Sequence, residues 1–254
     1  MIHECIILEK HAGVAIITLN RPEVLNAMNR QMWKELASAL PDVEADTGIN
    51  ALVLTGAGRA FSTGADLKES KTRRPEDYRA YLETLQETSR KLIRFEKPTI
   101  AAINGYALGS GYELALACDI RLAALNAQIG SPEAKVTSSV TGGAMRLLQE
   151  LVGPAKAREL LFTAENISGE EAARIGLVNK AVPPEKLLPE SLAMAAKIAQ
   201  NSAFSIKMIK KGLLMASGEA SLETLMNFEV EACLACVSTQ ERVASLISFE
   251  DRKR

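Results

Sequence analysis

The apolar positions of the chain follow two spacings, and together they predict a mixed α/β protein. Cys5–Leu8 and Val14–Leu19 are typical of two strands joined by a turn at His11-Ala12-Gly13. Two later apolar runs, Ala51–Leu54 and Thr99–Ile103, have the continuous character of buried strands. Two short strands are predicted at Ile120–Ala124 and Gln128–Gly130. Helical spacing over Met28–Val43 and Tyr78–Phe95 places helices between them, so the pattern predicts an α/β fold with a largely covered sheet.

Helical spacing dominates from Gly142 onward. The predicted elements are helices at Leu147–Leu151, Ala155–Phe162 and Glu170–Ile175, a strand at Val178–Val182, and a break at Pro183-Pro184. Three further helices are predicted at Leu187–Gln200, Ala203–Met215 and Ser221–Ser238. This tail is apolar on more than one face, which fits either packing on another subunit or folding back on its own core.

Length and charge narrow the class of protein. A chain of 254 residues suits one compact domain with a helical appendage, and its net charge of -1 gives no reason to expect nucleic-acid binding. The basic runs Lys71-Thr72-Arg73-Arg74 and Arg252-Lys253-Arg254 are expected to be solvated. No apolar run approaches the roughly 18 residues of a membrane helix, and the N-terminus lacks the pattern of a secretory signal. A soluble, cytoplasmic protein is therefore predicted.

The cysteines do not predict a metal or redox site. Cys233 and Cys236 form a C-x-x-C pair inside a helical pattern, and the histidines, His3 and His11, are far away in sequence. A redox C-x-x-C is expected at a helix start after a strand. We therefore expect reduced thiols and small buried side chains.

Two stretches of small residues follow predicted strands where helices should begin. They are Phe61-Ser62-Thr63-Gly64-Ala65-Asp66-Leu67-Lys68 and Asn104-Gly105-Tyr106-Ala107-Leu108-Gly109-Ser110-Gly111-Tyr112-Glu113. Small residues let a ligand approach the backbone, and a helix start leaves N–H groups unpaired. Two such turns can aim two N–H groups at one oxygen, as an oxyanion hole requires.

Two glutamates accompany these turns. Glu113 lies about one turn into a helix that begins at Gly109 or Ser110, and Glu133 follows a predicted strand and the rigid Pro132. Taken singly, each has an ordinary explanation. A first-turn glutamate stabilises a helix, and a loop glutamate is usually solvated.

Taken together, the stretches resemble the crotonase superfamily, whose type member is enoyl-CoA hydratase. The matches run in order through Thr18–Ala27, Phe61–Lys68, Asn104–Gly109, Ala117–Ile120 and Arg174–Val178. The resemblance implies a crotonase-like spiral of ββα units over residues 1–190 and a helical C-terminal oligomerisation region over 191–254. It also implies homotrimers or homohexamers, an acyl-CoA thioester substrate, no metal, and no cofactor beyond the coenzyme A of the substrate.

The resemblance assigns roles by position. The backbone N–H groups of Ala65 and Ser110 become the oxyanion donors, and Glu113 and Glu133 become the two carboxyl groups of a hydratase. The substrate- and CoA-binding positions are Thr63, Ala65, Leu67, Lys68, Gly109, Tyr112 and Thr141. For the Lys68 side chain the sequence leaves two alternatives: it lies near the CoA phosphates, or it is a solvated surface lysine. Tyr112 either lines the acyl pocket or simply packs.

One stretch departs from the hydratase pattern. After Glu133 the chain is one residue short and lacks the family's proline, in a turn whose amide helps hold the catalytic water in hydratases. Ser138, Ser139 and Thr141 either place hydroxyls near the acyl group or belong to a rearranged, solvated loop. We therefore predict an enoyl-CoA hydratase-like lyase. An isomerase or another crotonase-type reaction on an unusual, for example cyclic, acyl-CoA is the alternative, as is a non-catalytic acyl-CoA-binding protein.

Overall fold

The computed structural model describes residues 3–218 and 220–237, and their strands form two sheets. The strands are β1 (Ile6–His11), β2 (Val14–Leu19), β3 (Ala51–Gly56), β4 (Ala60–Ser62), β5 (Thr99–Ile103), β6 (Tyr106–Leu108), β7 (Ile120–Ala124), β8 (Gln128–Gly130), β9 (Ile167–Ser168) and β10 (Lys180–Val182). The larger sheet has the order β1-β2-β3-β5-β7-β10, and the smaller has the order β4-β6-β8-β9.

The larger sheet carries the main core. It is parallel from β2 to β10, and β1 adds an antiparallel edge through a tight turn in which Ala12 and Gly13 have positive φ. Every residue of β5 is buried, as its continuous apolar sequence predicts for a parallel strand covered on both faces. The covering helices include α1 (Arg30–Ala45), α3 (Tyr78–Ile93) and α7 (Pro184–Ala199).

The remaining helices complete a repeated strand-strand-helix pattern. They are α2 (Leu67–Thr72), α4 (Ser110–Leu116), α5 (Ala144–Thr163), α6 (Gly169–Arg174), α8 (Ala203–Ala216) and α9 (Leu222–Val237). A strand of the large sheet leads into a strand of the small sheet and then into a helix, in β3-β4-α2 and again in β5-β6-α4. This architecture confirms the predicted α/β fold and its crotonase-like spiral.

Three short strands are missing from the sequence prediction. No pattern indicates β4, β6 or β9, because strands of two or three residues are too short to show a period. The two helices predicted at 147–151 and 155–162 are present as the two halves of α5, which are separated by a kink at Gly153-Pro154, where Gly153 has a non-helical φ of 76°. The predicted break at Pro183-Pro184 separates β10 from α7, and α7 begins at Pro184, since proline is well suited to a first helical position.

The helical tail has two different environments. The first helix, α7, packs on β2, β3, β5 and β7 of the large sheet. Residue 190, where the sequence predicted that the core ends and the C-terminal helical region begins, lies inside this helix. That division of the chain stays a prediction. The other two helices, α8 and α9, pack on each other. They leave large apolar side chains exposed on this chain, namely Ile209, Leu213, Leu222, Met226, Val230 and Leu234. The predicted Ser238 end of the last helix lies outside the described residues, as does the basic run 252–254.

The C-x-x-C pair is helical as predicted, but the expectation of burial is wrong. Cys233 is exposed and Cys236 is half-buried, because α9 turns this face outward in the single chain. The other two cysteines, Cys5 and Cys118, are buried, and burial raises the pKa of the Cys118 thiol to about 12. Within the described ranges, no helix is long and apolar enough to span a bilayer.

Candidate active site

The first predicted turn is held beside the start of α1. Met28 donates its N–H to Gly64 O at 2.8 Å and accepts the N–H of Asp66 at 3.1 Å. Met28 and Ala65 thus form a parallel β-bridge, in which both hydrogen bonds are made by the residues on either side of Ala65, Gly64 and Asp66. The N–H of Ala65 consequently points away from Met28, as an oxyanion donor must.

Three residues that the sequence analysis did not single out fix this turn. Arg21 donates from Nη1 to Asp66 Oδ2 at 2.8 Å and to Ala27 O at 2.6 Å. Asp66 caps α2 by accepting the N–H groups of Lys68 and Glu69. Although burial alone would raise the pKa of Asp66, the hydrogen bond from Arg21 and the two amides hold it below its ordinary value.

The third of these residues, Asn26, is fully buried and has a positive φ of 56°. Its side chain donates to Ala57 O and Ala60 O and accepts the N–H of Arg21. The signal for Asn26 was the stretch Thr18–Ala27, which supported the resemblance but had no role assigned.

The second predicted turn lies directly against the first. Gly109 precedes α4 with φ 53° and ψ −126°, a conformation that L side chains rarely adopt. A Cβ built on Gly64 would lie 2.8 Å from Leu108 O and 3.2 Å from Ser110 N. The two glycine turns therefore meet at van der Waals distance. This contact brings the amides of Ala65 and Ser110, which are 45 positions apart in the sequence, into one place.

Glu113 points from the first turn of α4 toward Thr141. It is 2% exposed, and Thr141 donates to it twice, from its N–H at 2.5 Å and from Oγ1 at 2.6 Å. Burial raises the pKa of Glu113, the two hydrogen bonds from Thr141 lower it, and the charge of Glu133 raises it again, for a net rise. Such a carboxylate is a stronger base than an exposed glutamate, and it is held in one orientation.

Glu133 is placed on the other side of the same turns. It begins a 3₁₀ turn, is half-buried, and accepts the hydroxyl of Ser131 at 2.5 Å. Its Oε1 lies 2.9 Å from the point where a Cβ of Gly109 would stand. The two glutamates therefore lie beside the two glycine turns, and their roles stay a prediction.

The shortened loop after Glu133 is organised around Glu113. The Thr141 hydroxyl serves Glu113, and the N–H of Gly142 donates to Gln86 Oε1 at 3.1 Å. Ser138 and Ser139 instead line an open cavity of about 360 Å³ beside Glu133. Ser138 and Ser139 thus line the cavity, whereas the Thr141 hydroxyl binds the Glu113 carboxylate.

The other predicted binding positions divide into exposed and buried groups. Leu67 and Lys68 are exposed at the start of α2, and Thr63 is half-buried. Tyr112 is 2% exposed and belongs to the core, and burial raises its pKa. The structure thus brings Gly109 and Thr141 against the glutamates, whereas Tyr112 packs inside.

Two of the three cations in the basic run ahead of α3 form ion pairs with neighbouring carboxylates. Arg73 pairs with Glu69 at 2.9 Å, and Arg74 pairs with Asp77 at 2.9 Å. The guanidinium of Arg73 also lies 3.4 Å from the centre of the Tyr81 ring.

Known proteins match this chain over nearly its whole length. The family model described as enoyl-CoA hydratase/isomerase matches residues 9–254. The short-chain-enoyl-CoA hydratase of Clostridium acetobutylicum is 38% identical over 250 residues, which cover 98% of this chain and 95% of that protein. The crotonyl-CoA hydratase of Syntrophomonas wolfei is 36% identical over 255 residues, with 100% and 98% covered. A solved structure of enoyl-CoA hydratase from Bacillus anthracis superposes with a TM-score of 0.95 at 32% identity, covering 98% and 97% of the two chains.

Proposed function

Because the chain belongs to the enoyl-CoA hydratase/isomerase family, we propose that it adds water across the double bond of a 2-enoyl-CoA thioester at the site formed by Glu113 and Glu133. An enzyme of the hydratase type needs an oxyanion hole and two proton-transfer groups in one place. The observation that carries the proposal is the meeting of both glutamates with the Ala65 and Ser110 turns.

The thioester carbonyl is the group that the two turns would bind. Attack of water at the β-carbon pushes electrons through the conjugated system onto the carbonyl oxygen, giving an enolate. The N–H groups of Ala65 and Ser110 would stabilise that oxygen, and removing one such donor typically costs about 3–4 kcal/mol of transition-state stabilisation.

The two carboxyl groups would divide the proton transfers. Glu113 accepts two short hydrogen bonds that favour its ionised form, and its burial strengthens it as a base, so it would take the proton of the attacking water. Glu133 lies at the Gly109 turn, closer to where the thioester carbonyl and the adjacent α-carbon would sit, so it would deliver the proton to that carbon. Transfer of one proton from Glu113 back to Glu133 through solvent would restore both groups.

Coenzyme A would lie outside this centre, along the exposed start of α2. We infer that Thr63 and Leu67 contact the pantetheine and adenine portions and that Lys68 faces the phosphates. Exposure of Leu67 and Lys68 supports this inference, because a large polar ligand needs an open approach. Coenzyme A is thereby part of the substrate, and the proposal requires no further cofactor.

Assembly and location form part of the same proposal. We infer that three or six copies associate and that the protein works in the cytoplasm. Support for association comes from the exposed apolar side chains of α8 and α9, which exceed what a free surface usually carries. Light scattering that gives the mass of a single chain would contradict the assembly.

Hydration of crotonyl-CoA tests the function directly. The loss of conjugated-thioester absorbance would be followed for the wild type, Glu113→Gln and Glu133→Gln, with Glu185→Gln on an exposed turn of α7 as the control. Each site variant should lose roughly 10²–10⁴-fold in turnover, and the control should lose none. A folded wild type that binds crotonyl-CoA without hydrating it would refute the proposal.

One observation keeps isomerisation as a second candidate. Two amides of the loop after Glu133, those of Thr141 and Gly142, already donate to side chains, so these two are not free to hold a water molecule. Isomerisation moves a proton between two carbons and needs no bound water. Conversion of a 3-enoyl-CoA without hydration of the 2-enoyl isomer would favour this second reaction.

A further inference from the structure

An open cavity of about 360 Å³ lies beside the proposed reaction centre, and the proposed reaction leaves it without a role. Its walls are formed by the loop that follows Glu133 and by α5. We call it the α5 cavity, and its lining includes Glu133, Ser138, Ser139, Met145, Arg158 and Phe162. Its volume falls within the range of roughly 300–1,000 Å³ that is typical of ligand pockets.

The kink in α5 shapes this cavity. Met145 lies before Gly153-Pro154 and Phe162 lies after it, yet both side chains line the same space. On a straight helix these two residues would be about 25 Å apart along the axis, at 1.5 Å per residue. The kink therefore arranges the two halves of α5 around one cavity.

The α5 cavity reaches the proposed reaction centre at two points. Glu133 lines the cavity, and its Oε1 also lies 2.9 Å from the point where a Cβ of Gly109 would stand. Val140 lines the cavity as well, and the next residue, Thr141, donates two hydrogen bonds to Glu113. The carbon chain of a thioester held between the two glutamates would therefore enter this cavity beyond its double bond.

The lining of the cavity suits a chain with an apolar body and a polar end. The apolar side chains of α5 include Leu161, Met145, which is 54% exposed, and Phe162, which is 76% exposed. Large apolar side chains exposed beside an open cavity are typical of a binding surface. The loop adds the hydroxyl groups of Ser138 and Ser139, which can donate and accept hydrogen bonds.

The charge of the cavity identifies the polar end. The lining contains a single cation, Arg158, and this guanidinium has no ion-pair partner among the residues that the structure describes. By contrast, Arg146 of the same helix pairs with Glu150 at 2.6 Å. Glu133 lines the same cavity without pairing with Arg158. An unpaired guanidinium is well suited to a carboxylate, which it can bind through two parallel hydrogen bonds.

We propose that the α5 cavity binds the distal part of the acyl chain and that Arg158 selects thioesters whose chain ends in a carboxylate. This inference rests on the proposed function for the position of the thioester, and it specifies the substrate class of that site. The apolar side chains of α5 would contact the methylene groups, and Arg158 would pair with the terminal carboxylate. Glu133 gives up a proton in the proposed reaction, so it is uncharged while the substrate is bound and does not repel that carboxylate.

The experiment compares acyl-CoAs that differ only at the end of the chain. Saturated acyl-CoAs of six, eight and ten carbons would be titrated by calorimetry, so that binding is measured without turnover. Each would be compared with the counterpart that carries a terminal carboxylate and with the methyl ester of that counterpart. At one chain length the carboxylate should bind about fivefold more tightly than the other two, as expected for an ion pair exposed to solvent. Added salt should reduce this preference.

Variants of one exposed side chain assign the preference. Arg158→Gln removes the charge, so it should abolish the preference for the carboxylate and leave binding of the alkyl chain unchanged. Arg158→Lys keeps the charge without the two-pronged geometry and should retain part of the preference. Arg146→Gln is the matched control, because Arg146 is another exposed arginine of α5 that does not line the cavity. It should retain the whole preference.

Three results would overturn the inference. They are the absence of a carboxylate preference at every chain length, equally tight binding of the methyl ester, and a preference that Arg158→Gln leaves intact. Failure of the proposed function is a different result. In that case the carboxylate would be preferred and Arg158→Gln would abolish the preference, but neither crotonyl-CoA nor the 2-enoyl form of the carboxylate-ended thioester would be hydrated.

Discussion

The hydrogen bond from the Thr141 hydroxyl to Glu113 offers the sharpest test of the proposed base. In Thr141→Val the donor at 2.6 Å from Glu113 Oε2 is lost, while the backbone N–H of residue 141 still donates to Oε1 at 2.5 Å. The side chain keeps its shape and loses only the hydroxyl. The carboxylate is then stabilised by one donor in place of two.

The magnitude follows from the difference between charged and neutral hydrogen bonds. A bond to an ionised carboxylate is worth about 1.5–3 kcal/mol and one to its protonated form about 0.5–1.5 kcal/mol. The net loss of about 1–1.5 kcal/mol falls on the ionised form, and 1.36 kcal/mol corresponds to one pKa unit. The pKa of Glu113, already raised by burial, should therefore rise further by about one unit.

The assay is the pH dependence of kcat/KM for crotonyl-CoA, because it reports the pKa values of the free enzyme. Since the base acts when ionised, activity falls as the pH drops through the pKa of Glu113. The acidic limb should move to higher pH by about one unit in Thr141→Val. Thr141→Ser keeps the hydroxyl and should leave the limb in place. An unchanged limb in Thr141→Val would refute the assignment of Glu113 as the ionising base.

Three further predictions concern the frame of the site. Gly109→Ala places a Cβ 2.9 Å from Glu133 Oε1 at φ 53°, so turnover should fall by roughly 10²-fold and stability by about 1–3 kcal/mol; wild-type turnover would contradict the contact. Arg21→Met removes the ion pair with Asp66, and kcat/KM should fall by about tenfold with little change in far-UV circular dichroism. Glu35 accepts the N–H groups of residues 4, 5 and 6, so Glu35→Gln should cost about 1–3 kcal/mol in urea denaturation. Burial alone would raise the pKa of Glu35, but hydrogen bonds to its carboxylate lower it overall. The stabilisation from Glu35 is therefore fully present above the unfolded pKa of about 4.3 and is lost as the pH falls through the lower pKa of the folded state. A free-energy cost of Glu35→Gln that does not change at acid pH would contradict this.

The sequence by itself determined the elements that depend on local pattern. The buried strands at Thr99–Ile103 and Ile120–Ala124 were predicted with the bounds that the structure has, because a continuous apolar run is legible without its neighbours. The resemblance added the spiral fold and the positions of both glutamates. What local pattern could not supply was the second sheet, since β4 and β6 owe their conformation to pairing with each other.

Only the tertiary structure decided which groups meet. Gly64 and Ser110 touch because two successive strand-strand-helix units are stacked in register, and no feature of either segment states that contact. The partners of Glu113 likewise come from a loop 28 residues away, whose hydroxyls had several possible roles until the chain was folded. The physical reason is that periodicity and turn chemistry act over a few residues, whereas hydrogen bonds and burial at a site act through space.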